Sequence, residues 1–490
     1  MRTYRPLSVV VALVVSASAA VAQNATDRFA AVRDTINAIL AAGAHASISV
    51  AVARNDSILW QEGFGFANRE KQIRATAQTM YSLASISKPF TATAIMVLAQ
   101  RGKIDIERPA NDYLGSAKLV AHEGTANEMT VRRILSHTAG LPLHYQFFYE
   151  GGPKLHSDDI AITKYGFAGY KPGETYLYSN LGFGILGYIA GRVGGSNYET
   201  FLKNEVLGPL RLSNTTVSTG AGLGDRAAIR YDAQRNPIPP YAFDHTGASG
   251  VWSSANDLVR FGMFHANLGA PSSVLSPTTR ERMQRVEAPE TAPGSSYGLG
   301  WGLLENDRGY RRVSHTGGMP GVTTVLNLYP SERVVIVVLA NTAGAPIGRV
   351  ANMLASIVLP NYVLGPVTAP PAPPPAPKLG GVWRGSILVD GTSIPLTLNL
   401  ADSGASYSRL GSSDSVRIAQ GGYNARTGWM NVLIAGSIRA PDATPANDTS
   451  GVRIQVSMRL HGDKLSGWAT ALSPGPIAYG AVSYWAEVRR

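Results

Sequence analysis

The run Pro366-Val367-Thr368-Ala369-Pro370-Pro371-Ala372-Pro373-Pro374-Pro375-Ala376-Pro377 constrains this chain more than any other feature. Proline fixes φ and lacks an N–H, so such a run extends neither a helix nor a central strand and makes a stiff, extended spacer instead. It also separates two hydrophobic patterns. Beyond it, Val382 to Val389, Ile394 to Leu400, Ser415 to Ile418, Met430 to Ile434, Val452 to Leu460, Leu465 to Leu472 and Ala478 to Val488 are short alternating segments punctuated by Gly, Asp, Asn and Pro. That is the pattern of an antiparallel barrel or sandwich. The expected division is a first domain at 23–365, a linker at 366–379 and an all-β domain at 380–490.

Before the spacer, helix and strand signals mix. His45 to Arg54 and Ser57 to Gly63 read as a hairpin, and Val322 to Tyr329 and Val334 to Leu339 as β-rich runs joined by Pro330-Ser331-Glu332-Arg333. Between them lie helix-like runs: Lys88 to Gln100, Val131 to Leu135, Leu181 to Val193, Tyr198 to Val206 and Ser254 to His265. This predicts an α+β fold, an antiparallel sheet flanked by helices with an inserted helical subdomain.

Three motifs carry chemistry. Ser85-Ile86-Ser87-Lys88 precedes an apolar helix, and a spacing of three puts Ser85 and Lys88 on one helical face, where an amine can activate a hydroxyl nucleophile. For an isolated match, a serine cap before an apolar helix is the favoured explanation, and the other two motifs change that. Tyr178-Ser179-Asn180 follows the turn Lys171-Pro172-Gly173-Glu174 and offers a phenol and an amide. His315-Thr316-Gly317 follows the strand-like Tyr310 to Ser314, whereas His122 and His245, which also fit H-x-G, sit in settings that favour structural histidines.

With these residues in this order, the chain resembles the serine β-lactamase and penicillin-binding protein superfamily, in its class C-like branch. Ile134-Leu135-Ser136-His137-Thr138-Ala139-Gly140-Leu141-Pro142, Ser253 to Leu258 and Tyr297-Gly298-Leu299-Gly300-Trp301-Gly302 are further landmarks, and the resemblance covers about Ile48 to Val358. It implies a β-lactamase-like fold with Ser85 as acylated nucleophile, Lys88 and Tyr178 as proton-transfer pair, and Asn180 as a substrate-amide contact. His315, Gly317 and Gly318 would line the substrate strand, with the backbone N–H groups of Ser85 and Gly318 as oxyanion hole. His315 stands where relatives carry a lysine, and an imidazole attracts a substrate carboxylate only when protonated. The segment after the spacer resembles the lipocalin-like barrel of some peptidase members, with a lid and a stabilising appendage equally open as its role.

Met1 to Ala22 has two early arginines, an apolar core and small residues ending Ala20-Val21-Ala22, the pattern of a signal peptide. A periplasmic or secreted protein, without stable membrane insertion after cleavage, is expected. There is no cysteine, hence no disulfide or thiolate chemistry. The formal charge is +11, but the basic residues are dispersed, so nucleic acid is not an expected partner. No cofactor or metal motif occurs. Gly294-Ser295-Ser296-Tyr297-Gly298 fits a nucleophile elbow but lacks its strand and helix and reads as a flexible loop. Gly182 to Gly187 fits a dinucleotide fingerprint but lies inside a helix-like run, where close packing explains it. The functional expectation is an exported serine hydrolase acting on small peptides, amides or esters, and the resemblance implies D-amino-acid-containing peptides as the favoured ones. A class C-type β-lactamase and a non-catalytic peptidoglycan- or ligand-binding protein are the alternatives, and oligomeric state is left open.

Overall fold

The strand Val334–Ala340 is buried at every position, and its alternation explains how the first domain is layered. Ile336 and Val338 turn to one face of a sheet, where Val32, Ile36, Val350 and Leu354 cover them. Val335, Val337 and Leu339 turn to the other, onto Leu258 and Phe261. Successive side chains of a strand point to opposite faces, so an unbroken apolar strand requires a helical layer on each side. The outer layer is Ala30–Ala41 with Ile347–Val358; the inner one includes Ala255–His265.

These coordinates come from a computed structural model that describes residues 27–149, 155–269, 273–290, 294–363, 372–418, 420–436, 438, 453–474 and 479–490. The expected signal segment Met1 to Ala22 lies outside the described residues, as does the first part of the proline spacer; 372–378 are exposed and belong to no helix or strand.

The main sheet has nine strands, in the order Ala288–Pro289, Ser295–Tyr297, Gly302–Asp307, Tyr310–Met319, Val322–Tyr329, Val334–Ala340, Ser47–Arg54, Ser57–Asn68 and Ile73–Arg74. All its neighbours are antiparallel, with Val50 opposite Val338 and Val338 opposite Val325. The inserted helical part holds Ser87–Gln100 and Asn180–Gly194. Gly184 and Gly187 of the latter are close-packing positions: a Cβ would stand 2.9 Å from the His245 Cα and 3.0 Å from the Gly247 Cα. The expected elements recur within a few residues. The Gly294 to Gly298 stretch is a correction, because Ser295–Tyr297 is a sheet strand with Ser296 buried opposite Leu303. The helices at Ala30–Ala41 and Ile347–Val358 and the strands Tyr407–Leu410 and Gln420–Asn424 were not foreseen.

The C-terminal region is a curled antiparallel sheet, a half-barrel, ordered Val416–Arg417, Tyr407–Leu410, Thr392–Leu400, Gly381–Val389, Tyr479–Arg489, Lys464–Pro474, Arg453–His461, Trp429–Ala435 and Gln420–Asn424. It is joined to the first domain. Gly480 and Ala481 pair with Gln146 and Tyr145 of the strand Tyr145–Tyr149. Tyr170 lies against Trp429 and Trp468 with ring centroids 5.3 and 5.2 Å away, and Trp485 stacks on His122 at 4.6 Å. Gly169 is obligatory beneath Trp468, since a Cβ there would come within 2.1 Å of the indole. Glu174 forms an ion pair with Arg459 at 2.9 Å, and Glu123 accepts from Lys464.

Trp468 is 4% exposed at this seam. Trp468→Ala should cost about 3–5 kcal/mol, read as a lower urea midpoint. Because the seam holds the segment leading to Tyr176 and Tyr178, kcat should fall with it; unchanged stability and turnover would make the seam a passive contact.

Candidate active site

Ser85 sits at a bend. The strand Met80–Ser82 runs into a 3-10 turn, Ala84–Ile86, and then the helix Ser87–Gln100, with Ala84 held at φ 47°. A non-glycine residue in the left-handed region carries strain that the surroundings must hold. Ser85 is half-buried, while Ser87 to Leu98 are buried without break. Ser87, the other serine of the motif, accepts the Val251 N–H at 2.9 Å and so serves the backbone.

Lys88 is fully buried, and its Nζ meets three oxygens: Asn180 Oδ1 at 2.8 Å, Ser85 Oγ at 3.1 Å and the Ala248 carbonyl at 3.3 Å. No carboxylate accompanies it among these contacts, and burial holds its pKa well below the ordinary 10.5. A neutral amine has two N–H donors and one lone pair. Asn180 Oδ1 and Ala248 O are acceptors only and take the donors. The lone pair is thereby left for the Ser85 hydroxyl proton.

Tyr178 completes this cluster. Its hydroxyl is hydrogen-bonded to Ser85, and Lys88 Nζ lies 4.6 Å from its ring centroid. Burial raises the phenol pKa, and the Glu290 charge adds to the rise, so Tyr178 is protonated at neutral pH. The segment carrying it is tied to the His137 turn. Leu177 N–H donates to the His137 carbonyl at 2.7 Å, Ser179 N–H to His137 Nδ1 at 3.1 Å, Ser179 Oγ to Pro142 O at 2.6 Å and Asn180 N–H to Leu143 O at 2.8 Å. The Ser136 to Pro142 landmark thus acts as a frame for Tyr178 and Asn180. His137 also lies against Tyr178 at 4.4 Å between ring centroids.

His315 lies on Tyr310–Met319 and faces inward. Its Nδ1 donates to the Thr316 carbonyl at 2.8 Å, so Nε2 accepts from the Tyr297 hydroxyl at 3.0 Å. Burial and then Lys88 lower its pKa to about 3. The residue in the lysine place is therefore a neutral imidazole, not a cation. Gly317 packs behind the site: a Cβ would lie 2.1 Å from the Leu83 carbonyl. At Gly318 a Cβ would meet nothing within 4 Å, and that residue lines the cavity.

Ser85, Tyr178, His315 and Gly318 share one cavity of about 350 Å³. Asn180 and Lys88 are not among its lining residues; they meet behind Ser85, where Lys88 Nζ contacts both Asn180 Oδ1 and Ser85 Oγ. Sequence reasoning did not single out Tyr176, Glu290 and Arg312 on its wall. Tyr176, two residues before Tyr178 on the same extended segment, was the signal available. His122 and His245, read as structural, lie in the barrel seam and beside the buried Asp244, respectively. Among the described residues no group of three or more His, Cys, Asp or Glu could hold a metal ion, and no helix is long and apolar enough to cross a membrane.

The sequence profile of the β-lactamase family matches residues 32–359. A penicillin-binding protein of Bacillus subtilis (strain 168) is 27% identical over 320 residues, 60% of this chain and 67% of the relative. Protein flp of Staphylococcus aureus (strain NCTC 8325 / PS 47) is 25% identical over 302 residues, 60% of this chain but 59% of the relative's length. Among solved structures, the octameric penicillin-binding protein homologue from Pyrococcus abyssi aligns over 94% of this chain and 99% of its own with a TM-score of 0.59 at 20% identity, a likeness of fold.

Buried histidines set an acid limit. Burial lowers the pKa of His137, His245, His265 and His315 below 6.5. Below about 6.5 the unfolded chain binds protons that the native state refuses. Stability should therefore fall as pH drops through that value, seen as a lower urea midpoint at pH 5 than at pH 7.5. The His315 ring should show no titration between these pH values by NMR; a midpoint that rises on acidification would contradict the neutral assignments.

Proposed function

The chain belongs to the β-lactamase family, a family of serine hydrolases, and from that premise we propose that it forms an acyl-enzyme on Ser85 and hydrolyses small amides or esters. The carrying observation is the buried Lys88 amine, its pKa depressed by desolvation, 3.1 Å from Ser85 Oγ and in contact with two carbonyl oxygens. Lys88 takes the Ser85 proton as Oγ adds to the substrate carbonyl. The oxyanion is assigned to the backbone N–H groups of Ser85 and Gly318, beside the same cavity. Collapse expels an amine or alcohol that takes its proton through Tyr178. Water then attacks the ester by the reverse route, releasing the acid and restoring the Ser85 hydroxyl.

The neutral His315 favours a peptidase or esterase over a β-lactamase, since a substrate carboxylate finds no permanent cation at that place. D-amino-acid-containing peptides are the favoured class. Export by cleavage after Ala22 belongs to the same reading and is tested by N-terminal sequencing of the mature protein.

Ser85→Ala should abolish labelling by a fluorophosphonate and by penicillin G and eliminate turnover, while Ser296→Ala keeps both. Lys88→Met and Tyr178→Phe should each lower kcat by about 10²–10⁴. In the wild type kcat/KM should climb along an acid limb set by Lys88, well below the ordinary lysine value. Turnover surviving in Ser85→Ala would overturn the assignment. Penicillin G hydrolysed faster than any amide or ester would point to the β-lactamase, and stable labelling without turnover of any substrate to a binding protein.

A further inference from the structure

Glu290 is a carboxylate in the catalytic cavity that the acyl transfer does not use. Its backbone is fixed by the hairpin of Ala288–Pro289 with Ser295–Tyr297, where its N–H donates to the Ser295 carbonyl at 3.0 Å. The side chain is half-buried, and Tyr176 donates to Oε1 at 3.4 Å. Gly302, two strands along the sheet, puts no side chain against it; a Cβ there would stand 3.9 Å from Oε1, in ordinary van der Waals contact. Among the described residues no lysine or arginine nitrogen comes within 4.0 Å of it.

The other charges around the cavity are spent. Burial pulls the Lys88 amine well below its ordinary pKa, and His315 is a neutral imidazole. Arg312, the one permanent cation on the wall among the described residues, is bound to Asp307 at 2.9 Å. The carboxylate therefore gives the cavity an unbalanced negative charge, on a wall shared with the rings of Tyr176, Tyr178 and Tyr297. Half-burying an unpaired carboxylate is unfavourable unless a partner arrives. A carboxylate flanked by aromatic rings is the chemistry that takes an ammonium group.

We propose that Glu290 and Tyr176 form an ammonium subsite, so that the substrates of this protein carry a protonated amine within one residue of the scissile carbonyl. The proposal rests on the acyl-enzyme reading and names its substrate class. Burial raises the Glu290 pKa, consistent with a carboxylate that lacks its cationic partner in the free protein. The same charge repels a substrate carboxylate, in keeping with the neutral His315.

The test compares three p-nitroanilides on the full chain: D-alanine with a free α-amine, N-acetyl-D-alanine, and N-acetyl-D-lysine, which moves the ammonium to the side chain. In the wild type an ammonium-bearing substrate should exceed N-acetyl-D-alanine in kcat/KM by about tenfold or more, as expected of a hydrogen bond to a charged group. In Glu290→Gln that ratio should drop about tenfold, and Glu290→Asp should recover part of it. Preference for free D-alanine places the α-amine against Glu290; preference for N-acetyl-D-lysine places the side chain there. A wild-type ratio of one or less overturns the subsite, as does an equal ratio in wild type and Glu290→Gln. Fluorophosphonate labelling of Ser85, run alongside, separates the two readings. Labelled protein without amine preference removes the subsite alone, whereas wild type that neither labels nor turns over removes the acyl-enzyme and the subsite together.

Discussion

A lysine amine shielded from water is unstable as a cation, and much of this architecture serves to keep it there as a base. Two of the oxygens around Lys88 come from distant parts of the chain, Asn180 at the start of one helix and Ala248 in the short helix Thr246–Ser249, and the third from Ser85 in the 3-10 turn just before its own helix. The two distant suppliers are held by local anchors. Asn180 follows the Ser179 cap, which accepts the Gly182 N–H at 3.0 Å. The short helix is preceded by Asp244, buried between His144 at 2.7 Å and His245 at 2.9 Å. Burial alone would raise the Asp244 pKa, yet the two histidines hold it below the usual carboxylate range. His144 lies just beyond the turn that frames Asn180, so this buried cluster ties two of the suppliers together.

The same logic gives the C-terminal half-barrel a mechanical place. Phe167, Tyr170, Trp429 and Trp468 form one buried cluster, and the chain runs on from Tyr170 through Glu174 to Tyr176 and Tyr178. Aromatic burial against the barrel thus fixes one end of the tyrosine segment, and the His137 turn fixes the other. Among the described residues the barrel contributes none to the wall of the catalytic cavity, so the influence of those residues on chemistry passes through that segment.

Much of the fold was legible because its signals are local. Val322 to Tyr329 and Val334 to Leu339 announced strands by composition, and Lys88 to Gln100 and Leu181 to Val193 announced helices by length and apolar content. The Gly294 to Gly298 stretch was not legible: glycine and serine carry no strand propensity, and only pairing with Pro289 and Leu303 makes Ser295–Tyr297 a strand. For the same reason Gln420–Asn424, with two glycines, escaped notice until Trp429–Ala435 lay beside it.

The sequence by itself determined which groups are available. Order and spacing nominated Ser85, Lys88, Tyr178 and His315, because a reactive hydroxyl needs a base of a particular kind and helical spacing delivers one. It could not determine their protonation. Whether Lys88 is a base or a cation depends on burial and on two carbonyl oxygens, 92 and 160 residues away along the chain. Whether His315 attracts an anion depends on Thr316 and Tyr297 fixing its protons while burial excludes the charge. Glu290 was invisible for the same reason: a glutamate in a polar stretch is ordinary until the folded chain places it unpaired in the cavity. Desolvation and long-range electrostatics are properties of the assembled volume, so only the tertiary structure decides them.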